Sequence, residues 1–215
     1  LLIGKQGVNV RTLSFRDCSE PIYGLHSFNT INKNYIVVSF QNSSQLLEIT
    51  DTEIKPPEKS LIKENAQTLG VCPLLSSGGM SILFQVTTEG LYLYKPQNGT
   101  YETILSRPVS KYASNSKQII LFIPLNNSIY MLQLTSSSEK NSSEQGLYNL
   151  SYPITAMDLS KPDPTTGLSE YIAYGVYGTD LPNPAIEIHT VSLDQAVRSQ
   201  VISEKMPSKV ESINF

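Results

Sequence analysis

The chain has 215 residues, of which 40% are hydrophobic, and a formal net charge of −3. That length builds one large domain or two small ones around a sizeable core. The slightly acidic balance excludes a general electrostatic grip on nucleic-acid phosphates, and no run reaches the ~20 apolar residues of a membrane-spanning helix.

In chain order, residues 7–15 alternate apolar and polar side chains, the pattern of a half-buried strand. Residues 17–20 form a turn, and 21–28 read as a second strand offering Ile22, Leu25 and Phe28 to the core. Residues 35–40 and 45–49 are strand-length runs rich in β-branched and aromatic residues, separated by Gln41, Asn42, Ser43 and Ser44, so they read as a hairpin. Residues 50–64 carry two prolines and seven charged residues, which suits an exposed outer strand and loop.

The same unit then repeats. A second opens at 66–75, has its hairpin at 81–86 and 91–94, and closes on an edge strand at 100–106. A third opens at 108–113, has its hairpin at 118–123 and 128–134, and closes at 145–150, with the polar tract 136–144 expected as a mobile loop. A fourth opens at 152–159 and passes through a Pro/Gly loop at 161–167. Its hairpin lies at 171–176 and 185–191, and its outer strand is expected at 197–202. Residues 209–215 carry the pattern of yet another opening strand.

Opening strands therefore begin near 21, 66, 108, 152 and 208, spaced by 45, 42, 44 and 56 residues. Four strands per unit at that period define a β-propeller blade. A two-sheet sandwich would explain the alternation but not the period. The expected fold class is all-β: a WD40-like β-propeller with about four four-stranded blades of a larger ring. Residues 1–215 are expected to be a partial propeller within a longer chain, and to aggregate when isolated because both end blades expose an edge.

Chemistry is poorly supplied. His26, at the end of an inner strand, and His189, expected to face away from Ile186, Ile188 and Val191, read as solvated or hydrogen-bonded structural groups. Two histidines and two cysteines without close ligand pairs make no zinc site, and Cys18 and Cys72 read as small buried thiols. Ser76-Ser-Gly-Gly79 lacks the Lys-Ser/Thr and the helix of a phosphate loop. Asp158, Asp163 and Asp180 lie in or near loops but make no calcium pattern. Tyr92, Tyr94, Tyr130, Tyr171, Tyr174 and Tyr177 fit packing between blades better than base stacking. The Asn-x-Ser/Thr triplets at Asn42, Asn98, Asn126, Asn141 and Asn149 read as chance in a chain this rich in Asn and Ser. A secreted or enzymatic propeller using those triplets or the loop carboxylates is the reading from a different class. No catalytic, cofactor-binding or metal residue is assigned, no cofactor is expected, and the partner-binding residues are not legible.

Taken in order, the segments resemble one family. Gly7-Val-Asn-Val-Arg-Thr-Leu13 resembles a "G-x-L-R-x-L/I" strand, and Pro21-Ile-Tyr-Gly-Leu-His-Ser27 resembles "L-P-G-x-x-G-L-W" with His26 in place of Trp. Residues 35–40 with 45–47 resemble an apolar "S-F … T-x-V-L" hairpin, and 82–87 with 90–93 resemble "L-I-Q-V-x-x-x-G-I-R-L". Ile154-Thr-Ala-Met-Asp-Leu159 resembles "V-A-C-L-D-I", and 174–180 with 186–193 resemble "G-L-W-T-D … I-x-x-L-x-x-F". The family is that of the multi-propeller proteins typified by the large subunit of the damaged-DNA-binding complex. Its relatives include the large propeller subunits of splicing factor 3b and of the cleavage and polyadenylation specificity factor.

The resemblance implies the opening blades of the second of about three propellers, in a nuclear and possibly also cytoplasmic protein that is not an enzyme. It implies a scaffold in a cullin-RING ubiquitin-ligase adaptor for DNA repair, with a cullin and substrate receptors as partners. The alternative it allows is a scaffold in a splicing or 3′-end-processing complex. No nucleic-acid or membrane contact is expected from this segment.

Overall fold

The computed structural model of the chain describes residues 20–30, 32–50, 53–75, 81–95, 99–134, 143–178, 183–191 and 200–214. They form four four-stranded sheets, each an antiparallel meander in sequence order. The first holds β1 (Gly24–Asn29), β2 (Asn34–Ser39), β3 (Ser44–Ile49) and the two-residue β4 (Ile54–Lys55). The second holds β5 (Thr68–Leu75), β6 (Ser81–Thr87), β7 (Gly90–Lys95) and β8 (Thr100–Leu105). The third holds β9 (Lys111–Ser114), β10 (Gln118–Ile123), β11 (Ser128–Leu134) and β12 (Ser143–Asn149). The fourth holds β13 (Ile154–Leu159), β14 (Tyr171–Val176), β15 (Ala185–Thr190) and β16 (Gln200–Lys205). The leading strands β1, β5, β9 and β13 lie side by side in that order. This is the arrangement of propeller blades, and among the described residues it is an open arc.

The core lies in the three seams between successive sheets. Phe28, Tyr35, Val37 and Leu46 from the first sheet meet Leu83 and Tyr94 from the second, with the Phe28 and Tyr35 rings stacked 5.1 Å apart. Phe84, Val86, Leu91 and Leu93 meet Ile119, Leu121, Ile123, Tyr130 and Leu132 across the second seam. Ile120, Phe122, Ile129 and Met131 meet Met157, Leu159, Ile172 and Tyr174 across the third.

Strand β10 shows how sequence produces this. All six of its residues are buried, which no one-sided sheet would require. Successive strand side chains point to opposite faces. The odd positions Ile119, Leu121 and Ile123 therefore enter the second seam, and the even positions Ile120 and Phe122 enter the third. Each fully buried Ile, Leu or Phe contributes roughly 1.5–3 kcal/mol.

Several expectations need correction. Phe28 is core, but Leu25 is 64% and Ile22 51% exposed. A spacing of three residues cannot hold one face of a strand, so Leu25 points away from Phe28. Among the described residues of 50–64 the outer strand is Ile54–Lys55, and Ile62 is fully buried in the first seam. Of the expected mobile loop, Ser143 and Glu144 belong to β12, while 136–142 lie outside the described residues. Of the last expected outer strand, 197–202, residues 200–202 belong to β16 (Gln200–Lys205), and 197–199 lie outside the described residues.

Residues 209–214 form no strand. Instead the Thr155 hydroxyl donates to the Val210 carbonyl, and the Val210 side chain lies against Gly175. The expected leading strand at 7–15 and the turn at 17–19 lie outside the described residues.

Candidate docking face

The hydrogen bonds at one end of the arc follow a repeated rule. The turn joining the second and third strands of a sheet is tied to the segment that crosses into the next sheet. In the first sheet the Ser44 N–H donates to the Glu64 carbonyl at 2.7 Å, and its hydroxyl donates to the Ala66 carbonyl at 2.8 Å. The Ser39 hydroxyl donates to the Thr68 carbonyl at 2.8 Å. In the second, the Val109 N–H donates to the Thr88 carbonyl at 3.1 Å, and in the third the Leu150 N–H donates to the Asn127 carbonyl at 2.7 Å. These bonds fix the turns to the crossings, so this end presents a pre-ordered surface.

Large apolar side chains collect there. Ile22 and Tyr23 lead into β1, and the Tyr23 N–H donates to the Ser39 carbonyl. Leu125 is 87% exposed on the 3-10 turn between β10 and β11, and Tyr177 follows β14. The turn under Leu125 is stiff because Pro124 opens it and Asn127 closes it in the left-handed region at φ 49°. The other exposed large hydrophobes among the described residues are Leu25, in β1 next to Ile22 and Tyr23, and Tyr101, whose hydroxyl donates to the Ile62 carbonyl at 2.5 Å.

At the opposite end, the described loop between β13 and β14 is polar. The Asp163 carboxylate accepts from the Thr165 hydroxyl at 2.5 Å and from the backbone N–H groups of Thr166 and Thr165, each at 2.8 Å. The Thr165 hydroxyl, then those N–H groups, hold Asp163 down at about 2. Gln118 clasps the loop at both backbone atoms of Ser169, accepting from its N–H at 2.6 Å and donating to its carbonyl at 3.4 Å.

A second clasp sits in the first seam. Gln85, 2% exposed, accepts from the Lys63 N–H at 2.7 Å and donates to the Lys63 carbonyl at 3.0 Å and the Thr68 hydroxyl at 2.7 Å. It pins the crossing segment whose Ile62 side chain fills the seam. Sequence reasoning placed Gln85 and Gln118 in strands but gave neither a task. The available signal was an amide in the middle or at the head of an otherwise apolar run.

Several of the residues singled out in the sequence lie within the described residues. The Cys72 thiol is buried, free and donates to the Ser114 hydroxyl at 3.1 Å. Burial pushes it up to about 11, which suppresses the reactive thiolate. His189 faces away from Ile186 and Ile188, but that is the buried side. It lies 5.3 Å from the Tyr174 ring and 2.9 Å from the Glu187 carboxylate, so of the two expected roles it takes the hydrogen-bonded one and not the solvated one.

Tyr92, Tyr94, Tyr130 and Tyr174 are buried, Tyr171 is half-buried, and Tyr177 is exposed rather than packed. Asp158 is the penultimate residue of β13, near the loop that follows it. Cys18, Asp180, Asn98, Asn141 and residues 76–79 lie outside the described residues. Among the described residues no three His, Cys, Asp or Glu side chains converge as metal ligands, and no helix is long and apolar enough to cross a membrane.

His26 makes a pH-sensitive contact at the first seam. Its Nε2–H donates to the Thr68 carbonyl at 3.2 Å. Burial lowers its pKa below 6.5, and the Thr68 bond opposes that only in part. The folded state then binds fewer protons than the unfolded chain, so stability contributed here is present above the unfolded pKa of about 6.5 and is lost as pH falls from there through the lower folded value. Urea titrations at pH 7.5 and pH 5.5 are expected to show a pH-dependent loss that is reduced in His26→Gln. An equal loss in both proteins would assign the effect to other groups.

Four antiparallel four-stranded sheets, stacked seam by seam with a fixed turn end, define a β-propeller arc of scaffold type. The family model of the RSE1/DDB1/CPSF1 second β-propeller matches residues 8–213, so the chain belongs to that family of scaffold and adaptor propellers. Comparison with curated proteins gives no match. Among solved structures, the crystal structure of BBS1N in complex with ARL6DN is similar in fold, with a TM-score of 0.59 at 12% identity. The match covers 91% of this chain and 58% of that one, so this chain spans under two thirds of the neighbour's length.

Proposed function

We propose that the chain is a non-catalytic docking scaffold, the opening blades of the second propeller of a longer protein that serves as a cullin-RING ubiquitin-ligase adaptor in DNA repair. The observation that carries the reading is the fixed turn end with its exposed Ile22, Tyr23, Leu125 and Tyr177 in a chain of this family. An exposed aliphatic or aromatic side chain on a stiff turn loses little entropy when a partner buries it, which is how a few anchors come to dominate an interface. The partner assigned to this end is the cullin. The adaptor is placed in the nucleus, where its DNA-repair substrates are, with a further pool in the cytoplasm.

Affinity purification of the full-length protein from its own cells, with bound proteins identified by mass spectrometry, tests the reading. A stoichiometric cullin supports it. Splicing or polyadenylation subunits in its place would move the function to RNA processing and overturn the ligase assignment. Within the same experiment, Leu125→Asp is expected to reduce cullin capture roughly tenfold or more, while changing stability by less than about 0.5 kcal/mol because the side chain touches little. Undiminished capture by Leu125→Asp would remove this end as the docking face and leave the ligase reading standing.

A further inference from the structure

We draw no further inference here: the strongest candidate, the exposed apolar patch of Ile22, Tyr23 and Leu25 at the leading strand of the first sheet, belongs to the docking face already described.

Discussion

Replacing Gly90 by alanine is expected to destabilise the protein by about 3–5 kcal/mol, enough to consume much of the ~5–15 kcal/mol that holds a domain folded. Gly90 opens β7 with φ at +154°, and a Cβ there would stand 2.0 Å from the carbonyl oxygen of Leu105. That oxygen belongs to the last residue of β8, whose partner is Leu91, so it cannot swing aside as a side chain would. Relief requires shifting the β7–β8 ladder next to its existing bulge or reopening the turn held by Thr87, whose hydroxyl accepts from the Glu89 and Gly90 N–H groups. Backbone strain of roughly 1–3 kcal/mol adds to roughly 1–3 kcal/mol for overpacking. Urea unfolding monitored by circular dichroism checks the value. A Gly90→Ala protein within about 1 kcal/mol of wild type would show that the close approach to Leu105 relaxes cheaply.

Removing the amide of Gln85 comes next in expected size. Gln85→Leu keeps the volume and the apolar seam but leaves the Lys63 N–H, the Lys63 carbonyl and the Thr68 hydroxyl without their partner. Each buried polar group so orphaned costs roughly 1–3 kcal/mol. Lys63 is only half-buried, so water recovers part of the loss, and a net destabilisation of about 2–4 kcal/mol is expected. Lys63→Met is the contrast. It removes the exposed ion pair to Glu89 and the ammonium 4.4 Å over the Tyr92 ring, yet keeps both backbone atoms in the clasp. About 1 kcal/mol or less should follow from that change. Equal losses in the two variants would mean that Lys63 is held by its side chain and not by its backbone.

Alternation made the strands legible. The hairpins at 118–123 with 128–134 and at 81–86 with 91–94 appear in the structure within a residue of where the pattern puts them, because β-branched and aromatic runs between polar turns have few other solutions. The sorting of side chains to seams was legible only where period two was respected. Leu25 was grouped with Phe28 across it and fell outside the core, while Ile22 precedes β1 and is exposed for that reason. The burial of Ile62 was hidden because it comes from the crossing segment, whose path depends on the Gln85 amide 22 residues further on. His189 does turn away from Ile186 and Ile188 as its alternation indicates, but that this face of β15 is the buried one depends on the sheet before it.

The candidate docking face was the least legible part. Leu125 stands in a Pro-Leu-Asn-Asn turn where an apolar residue looks accidental, and Tyr177 stands in a run that reads as core. Their convergence on one end follows from four parallel meanders sharing a direction, which is a property of the whole array. No local window contains it.

The two-faced burial of β10 bears on how such a chain can change over time. Leu121 and Phe122 are adjacent along the backbone but answer to different neighbours, one to the second sheet and one to the fourth. Two packing vocabularies are interleaved in a single six-residue word. A drift in the second sheet constrains only the odd letters of β10 and leaves the even ones free. Relatives can therefore diverge face by face until little identity survives, while the seams, and with them the propeller, persist.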